Sequence, residues 1–215
     1  MNVVRHPAGV PAETLLVLLP GAYMTPQHFV DAGFVAARDT RCAALDLAIA
    51  GIDLADITDG SALPAVRAEI LLPARRDYRS LWLGGISLGG FLALLHAARH
   101  PEDVDGLCLF APYPGSRITT GAIAAAGGLA AWQPTAEQLA DPEFELWAWL
   151  QSGAAKPPTR IDYGRDDRFA DGIAQLAAAL PQAATRSRPG GHDWPVWTAA
   201  WNDFLAAGLP AAEPV

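Results

Sequence analysis

The most informative stretch of this sequence is Gly85-Ile86-Ser87-Leu88-Gly89. The apolar run before it, Leu81-Trp82-Leu83, predicts a strand, and the run after it, Phe91-Leu92-Ala93-Leu94-Leu95, predicts a helix. A serine at the apex of such a turn adopts a strained backbone conformation that exposes its hydroxyl. The flanking glycines avoid a collision between a Cβ and the neighbouring strand or helix. The pattern therefore indicates that Ser87 is a nucleophile.

A serine nucleophile needs a base and an acid, and candidates for both follow it along the chain. A base with a pKa of about 6.5 is a histidine, and His192 stands in the glycine-flanked loop Gly190-Gly191-His192-Asp193-Trp194. A carboxylate must hold the tautomer of that histidine. The candidates for it lie in Asp162-Tyr163-Gly164-Arg165-Asp166-Asp167.

The order Ser, Asp, His resembles that of the α/β-hydrolase superfamily, and the resemblance covers nearly the whole chain. The chain is identified as a member of its small serine esterase, carboxylesterase-like branch. Besides the serine turn, three stretches carry the resemblance: Thr14-Leu15-Leu16-Val17-Leu18-Leu19-Pro20-Gly21-Ala22, Arg99-His100-Pro101-Glu102-Asp103-Val104-Asp105-Gly106-Leu107 and Ile161-Asp162-Tyr163-Gly164. The resemblance implies a three-layer α/β fold.

The resemblance also implies the identity of the acid. The family's G-x-x-D spacing, counted from Gly164, leads to Asp167. Asp166 remains the alternative, because spacing does not separate adjacent acids. Asp193 is next to the histidine in sequence, so we expect it to cap the helix that follows it.

The oxyanion hole is expected to consist of the backbone N–H groups of Leu88 and Ala22. Many family members carry His-Gly where this chain carries Pro20-Gly21, which leaves Tyr23 as an alternative donor to Ala22. We expect Tyr23 and Met24 to line the substrate pocket.

Apolar runs of strand length alternate with segments of helical period along the chain. This pattern predicts the α/β class, with a mostly parallel central sheet and helices on both faces. The predicted strands lie near 14–19, 41–47, 80–86, 105–110, 158–163 and 183–188, and the predicted helices near 26–38, 61–72, 88–99, 171–180 and 194–207. We expect one domain over 1–215.

The segment 115–158 interrupts the alternation and contains an aromatic cluster, Phe144, Trp147 and Trp149. The resemblance implies that this small helical insert is a cap that supplies walls to the substrate site. The alternative is that Trp147 and Leu150 only pack the segment onto the body of the protein.

The formal net charge of −8 argues against nucleic acid and anionic membrane surfaces as partners, because both select a basic face. The first residues lack the pattern of a secretory signal, so we expect a cytoplasmic protein. Cys42 and Cys108 each stand in a predicted strand. We interpret both as core residues rather than as a disulfide.

The remaining histidines fit other roles. His96 and His100 stand four residues apart but lack the glutamate of a zinc-binding H-E-x-x-H motif, so we expect structural or surface roles. His28 follows the predicted oxyanion loop, where contact with substrate is the alternative to a surface role.

The function predicted from these residues is hydrolysis of a small-molecule carboxylic ester through an acyl-serine intermediate, with no metal and no cofactor. The same residues are compatible with a thioesterase or an acyltransferase. A non-catalytic ligand-binding protein of the same fold is the alternative from another class.

Overall fold

The computed structural model describes residues 1–41 and 44–208, which form a seven-stranded sheet and the helices around it. The strands are β1 (Asn2–His6), β2 (Thr14–Leu19), β3 (Leu45–Gly51), β4 (Ser80–Ile86), β5 (Gly106–Phe110), β6 (Thr159–Gly164) and β7 (Ala184–Arg188). The α-helices are α1 (Pro26–Asp31), α2 (Phe34–Arg41), α3 (Leu54–Thr58), α4 (Ala62–Val66), α5 (Leu72–Ala74), α6 (Leu88–Arg99), α7 (Arg117–Ala125), α8 (Pro142–Gln151), α9 (Ala170–Ala178) and α10 (Trp194–Ala207).

The strand order is β1-β3-β2-β4-β5-β6-β7. β1 runs antiparallel to β3, and every other neighbouring pair is parallel. The chain winds outward from β2 to β3 and then crosses back to β4, so the winding direction reverses between β2 and β4. Ligands of such sheets bind at the carboxyl ends of the strands beside this reversal. The serine turn follows β4 and therefore lies there.

The expected fold class is correct. Helices cover both faces of the sheet, with α6 against α8 and α2 against α10. Because the central strands are buried on both faces, their sequences are continuous apolar runs. In β2, all five residues after Thr14 are buried. Cys108 is confirmed as a buried core residue of β5, where burial raises the pKa of its thiol. The same prediction for Cys42 lies outside the described residues.

The third strand was placed too early by the sequence. The prediction of 41–47 is wrong, because Arg41 still belongs to α2 and β3 begins at Leu45. Ala43 and Ala44, in the middle of this stretch, show no alternation that would mark where the helix ends and the strand begins. β1 was not predicted. It pairs with β3 alone, so its side chains alternate weakly between exposed and half-buried positions.

Two predicted helices are interrupted. The helix expected over 26–38 is two helices, because Gly33 adopts a φ of +82° after α1. The helix expected over 61–72 contains a π-helical turn at Arg67–Leu71 between α4 and α5. Pro73 lies just beyond that turn and lacks the N–H that would bond four residues back.

The segment 115–158 carries α7, a 3₁₀ turn at Gln138–Ala140 and α8. The indole N–H of Trp147 donates to the carbonyl of Pro114 at 2.8 Å, and both Trp147 and Leu150 are buried. These two residues therefore hold the segment on the body of the protein. Among the described residues, no helix is long and apolar enough to cross a membrane.

Candidate active site

Ser87 occupies the turn between β4 and α6 with a φ of +53° and a ψ of −115°. Positive φ is rare for a residue other than glycine and costs about 1–3 kcal/mol, so the surroundings must hold it there. The N–H of Ser87 donates to the carbonyl of Phe110 at 2.9 Å, and its carbonyl accepts from the N–H of Tyr113 at 2.9 Å. Bonds to the last residue of β5 and to the loop after it thus fix the strained serine.

The two glycines of the turn are required by close approach of the backbone. A Cβ on Gly85 would lie 2.3 Å from the carbonyl carbon of Gly89, and a Cβ on Gly89 would lie 2.1 Å from the carbonyl oxygen of Leu19. Neither space admits a methyl group. The reason inferred from the sequence is therefore confirmed.

His192 follows β7, and its Nδ1 lies 2.6 Å from Oδ2 of Asp167, which follows β6. The side chain of Asp167 is fully buried, and that of His192 is 15% exposed. The other oxygen of Asp167 accepts from the N–H of Phe169 at 2.8 Å. The carboxylate is thus oriented from one side by the backbone and presents its second oxygen to the imidazole.

The loops that carry these two residues meet through glycines. A Cβ on Gly164 would lie 2.2 Å from the carbonyl oxygen of Gly190. Asp166 lies on the outside of this junction. Its N–H donates to the carbonyl of Gly190 at 2.9 Å, and its Oδ2 accepts from the N–H of the same residue at 3.0 Å. Asp166 therefore joins the two loops through backbone hydrogen bonds, and Asp167 is the acid that contacts the imidazole.

Asp162, the first acid of this stretch, has another partner. Its Oδ1 accepts from the guanidinium of Arg188 at 2.6 Å, which also contacts Asp203 at 3.1 Å. Burial raises the pKa of Asp162, and the nearby Arg188 opposes that shift. Asp162 therefore joins two strands rather than the histidine.

The imidazole of His192 lies between two aromatic rings that the sequence analysis did not assign to the site. Its ring centre is 5.3 Å from that of Phe169 and 5.2 Å from that of Trp197, both in edge-to-face geometry. Phe169 follows the acid by two residues, whereas Trp197 comes from the first turns of α10. No spacing signal marks either ring, because they come from different elements.

The loop after β2, which the sequence predicts to be the oxyanion loop, turns tightly. The carbonyl of Gly21 accepts from the N–H of Met24 at 3.1 Å, and Tyr23 has a φ of +61°. Among the described residues, the N–H groups of Ala22, Tyr23 and Leu88 have no hydrogen-bond acceptor. These unpaired donors stand at the carboxyl ends of β2 and β4, at the same edge of the sheet as Ser87.

The two residues expected to line the pocket are placed differently. A Cβ on Gly21 would lie 3.0 Å from Sδ of Met24 and 3.2 Å from the carbonyl oxygen of Ile86, so Met24 packs beside the serine turn. The side chain of Tyr23 is 86% exposed.

His28 is exposed, and its Nδ1 accepts from the N–H of Thr25 at 3.0 Å, so it caps α1. Asp193 caps α10, as expected.

His96 lies on α6 and His100 directly follows its last residue, both away from the serine turn. His96 is buried and its Nε2 lies 3.1 Å from Oδ2 of Asp103, so it has the expected structural role. His100, Glu102 and Asp103 offer ligand atoms within 4.8 Å of one another. The guanidinium of Arg67 already binds Asp103 at 2.7 Å and Glu102 at 3.3 Å, so a cation would have to displace it.

Two cavities adjoin Tyr113, whose backbone is bonded to Ser87. The apolar pocket, of about 280 Å³, is lined by residues that include Leu88, Phe91, Leu92 and Leu95. The arginine groove, of about 780 Å³, runs between α7 and α9, and its lining includes Arg117, Arg168 and Phe169. Tyr113 lines both cavities and so forms the wall between them.

Glu143 of α8 fixes that wall. Its carboxylate accepts from the hydroxyl of Tyr113 at 3.0 Å, from the hydroxyl of Thr119 at 2.6 Å and from the N–H of Ser116 at 2.7 Å. Burial raises the pKa of Glu143, but these hydrogen bonds outweigh burial and leave the pKa below its ordinary value. The ionised carboxylate therefore joins α8 to the start of α7.

Comparison with known proteins points to one family. A family model described as "Putative esterase" matches residues 63–208, which is more than half of the chain. No curated protein matches the chain. Est1E from Butyrivibrio proteoclasticus has a TM-score of 0.66 at 15% identity, over 95% of this chain and 93% of that chain.

Two further solved structures have similar scores. An S-formylglutathione hydrolase from Agrobacterium tumefaciens has a TM-score of 0.64 at 16% identity, over 94% of this chain and 91% of that chain. A monoacylglycerol lipase from Paleococcus ferrophilus has a TM-score of 0.65 at 15% identity, over 96% and 99% respectively. These similarities confirm the expected fold.

Proposed function

Since this chain belongs to the esterase family of α/β-hydrolases and is therefore a hydrolase, we propose that it cleaves small carboxylic esters through an acyl-serine intermediate, with Ser87, His192 and Asp167 as its triad. The observation that carries the proposal is the 2.6 Å contact between Nδ1 of His192 and Asp167 at the edge of the sheet that also bears the strained serine. Holding Nδ1 as the protonated nitrogen leaves Nε2 free to act as a base.

In the first half of the reaction, Oγ of Ser87 attacks the ester carbonyl carbon while its proton passes to Nε2 of His192. The bond from carbon to the alcohol oxygen then breaks, and the imidazolium returns that proton to the leaving alcohol. Asp167 stabilises the imidazolium between these steps. In the second half, water attacks the acyl-serine, and the same proton transfers release the acid and restore Ser87.

Negative charge develops on the former carbonyl oxygen in both halves. We assign the stabilising donors to the unpaired N–H groups of Leu88 and Ala22, with that of Tyr23 as the alternative at the second position. One such donor contributes about 3–4 kcal/mol to the barrier reduction. Because Met24 packs beside the serine turn, we assign it a role in lining the substrate pocket. We assign the same role to its neighbour Tyr23.

The two cavities support a division of the substrate. The apolar pocket includes Leu88, so the acyl chain would lie beside the oxyanion donors. The arginine groove includes Phe169, which contacts His192, so the leaving alcohol would lie on the side of its proton donor. The segment 115–158 supplies walls to both and thereby acts as the cap. No step of this reaction requires a metal or a cofactor.

Labelling by a fluorophosphonate probe, with mass spectrometry to locate the adduct, tests the proposal. The adduct is expected on Ser87 and is expected to disappear in Ser87→Ala and His192→Ala. Ser187→Ala is the matched control, because Ser187 is exposed on β7 and is expected to leave labelling unchanged. Absence of an adduct on folded protein would favour a ligand-binding protein instead.

Turnover of an oxygen ester and a thioester with the same acyl group separates the two hydrolase activities. Product analysis in the presence of an alcohol or amine acceptor tests for acyl transfer. The proposal expects faster oxygen-ester turnover and free acid as the product. A higher kcat/KM for the thioester would reassign the chain to thioester hydrolysis with the same residues.

A further inference from the structure

The arginine groove holds cationic groups without carboxylate partners. Among the described residues that line it, the charged ones are Arg117, Arg168 and Asp171. No carboxylate of the described residues forms an ion pair with either guanidinium. Seven other arginines do form ion pairs, namely Arg38, Arg67, Arg75, Arg79, Arg99, Arg186 and Arg188. The remaining arginines without an ion pair in the described part of the chain, such as Arg76, lie outside the groove. The groove therefore has an excess of positive charge.

That excess contrasts with the protein as a whole, which has a formal net charge of −8. An anionic molecule is repelled by a negative protein unless it meets a local cluster of opposite charge. A guanidinium presents parallel N–H donors that match a carboxylate or a phosphate, and hydrogen bonds of this kind are about twice as strong as neutral ones. Arg117 and Arg168 are therefore suited to an anionic group.

The position of Arg168 links the groove to the reaction. Its guanidinium lies 4.7 Å from the centre of the Phe169 ring, and that ring also contacts the imidazole of His192, at 5.3 Å, and the ring of Tyr113, at 5.4 Å. Stacking on an aromatic face restrains the long side chain. A molecule bound by this arginine would thus lie one aromatic ring away from the group that gives its proton to the leaving alcohol.

We infer that the arginine groove binds a carboxylate or phosphate group carried by the alcohol portion of the ester, with Arg117 and Arg168 as its cationic partners. This inference rests on the proposed function, because the proton donated by His192 determines which part of the substrate lies on this side. The apolar pocket has no part in it. The groove's volume of about 780 Å³ leaves room for an aromatic or short aliphatic alcohol that bears the anionic group.

A series of phenyl acetates tests the inference. Its members differ in one substituent on the phenol ring, whereas the acetyl group and the reaction stay the same. The substituents, all at the 3-position, are carboxylate, phosphonomethyl and the uncharged carbamoyl group. We expect kcat/KM for at least one anionic ester to exceed that for the carbamoyl ester by about tenfold, the size of a charge-assisted hydrogen bond. Equal values for all three esters would overturn the inference.

Arginine variants locate the effect. In Arg117→Gln and in Arg168→Gln, we expect the ratio of anionic to carbamoyl ester turnover to fall towards one. Arg117 is distant in sequence from the triad, so its variant remains informative if Arg168→Gln disturbs the adjacent Asp167. Arg76→Gln is the matched control, because Arg76 is exposed outside the groove and is expected to keep the full ratio. An unchanged ratio in both groove variants would contradict the assignment.

Binding of the product 3-hydroxybenzoate, measured by calorimetry, needs no turnover. We expect weaker binding by about tenfold in Arg117→Gln than in Arg76→Gln, and loss of binding at high salt. If no ester is hydrolysed but this difference is present, the proposed function fails and the anion site stands. If esters are hydrolysed but the difference is absent both for 3-hydroxybenzoate and for the phosphonate product 3-(phosphonomethyl)phenol, the anion site fails alone.

Discussion

Nδ1 of His192 lies 2.6 Å from Oδ2 of Asp167, whereas the adjacent Asp166 forms its hydrogen bonds, within the described part of the chain, with the backbone of Gly190. The two acids are neighbours in sequence but serve opposite sides of one loop junction. One is buried against the imidazole, and the other is exposed on the outer surface. This division turns the ambiguity between the two acids into a measurable difference.

Asparagine at the two positions is expected to have very different effects on kcat. In Asp167→Asn, the side chain no longer holds His192 in the required tautomer, and we expect kcat to fall by about 10⁴-fold. In Asp166→Asn, the new side chain still offers an oxygen to the N–H of Gly190, so we expect a loss below about tenfold. Steady-state kinetics on one ester, with circular dichroism to verify folding, would compare them. Equal losses would contradict the assignment of the acid.

Substitution of Gly89 by alanine is expected to destabilise the protein, because the new Cβ would lie 2.1 Å from the carbonyl oxygen of Leu19. We expect a loss of about 3 kcal/mol or more in the free energy of unfolding. Gly121→Ala is the matched control. Gly121 lies within α7, and a Cβ added to it would meet open space. Alanine there should therefore raise the free energy of unfolding by about 1 kcal/mol. Urea denaturation measures both, and a tolerated Gly89→Ala would refute the close approach.

Glu143→Gln is expected to loosen the wall formed by Tyr113. The variant places an amide NH₂ where the carboxylate now receives three donors, and we expect a loss of about 1.5–3 kcal/mol in the free energy of unfolding. Glu145→Gln on the same helix removes an exposed ion pair with Arg99 and should cost below about 1 kcal/mol. Urea denaturation of the two variants provides the comparison.

The pKa of Glu143 gives this contribution a pH dependence. Because the folded-state pKa is below the ordinary value of 4.5, the stabilisation is present above that value and is lost as pH falls through the lower native pKa. The difference in stability between the wild type and Glu143→Gln should therefore shrink below pH 4.5. A difference that stays constant with pH would indicate that the charge has no part in anchoring the wall.

Acidification is also expected to destabilise the protein through His96. Burial lowers the pKa of His96 to about 4, with Asp103 opposing the shift, from an ordinary value of 6.5. Between these values the unfolded chain binds a proton that the folded protein does not, so stability falls as pH falls from 6.5 to 4. The contribution is about 3 kcal/mol at most.

Variants of the two histidines isolate that contribution. Gln at position 96 can still donate to Asp103 but does not titrate, so His96→Gln should lose stability less steeply between pH 6.5 and 4 than the wild type. His100→Gln, at the residue directly after α6, is the comparison variant and should change the slope far less than His96→Gln, because His100 contributes less than burial to the lowered pKa of His96. Denaturant titrations across this range measure the slopes. Parallel curves for His96→Gln and the wild type would contradict the prediction.

Strands and helices were predicted correctly where the residues of the element itself carry the pattern. β2, β4 and α6 matched their predictions, because long apolar runs and helical periodicity require no information from distant residues. β1 was missed because an edge strand that pairs on one side leaves a weak pattern. The break at Gly33 depends on a backbone conformation that glycine permits but does not dictate.

The sequence by itself determined the class of fold and the serine turn, because apolar periodicity and the Gly-x-Ser-x-Gly turn are local patterns of contiguous residues. It also determined the order in which Ser87, the candidate aspartates and His192 follow one another. Only the tertiary structure decided that Asp167 faces His192 and that Phe169 and Trp197 enclose the imidazole. It also decided that Arg117 and Arg168 line one groove and that no carboxylate of the described residues forms an ion pair with them. These relationships join residues on separate elements, and their distances depend on how the loops approach through Gly164 and Gly190, which no local pattern specifies.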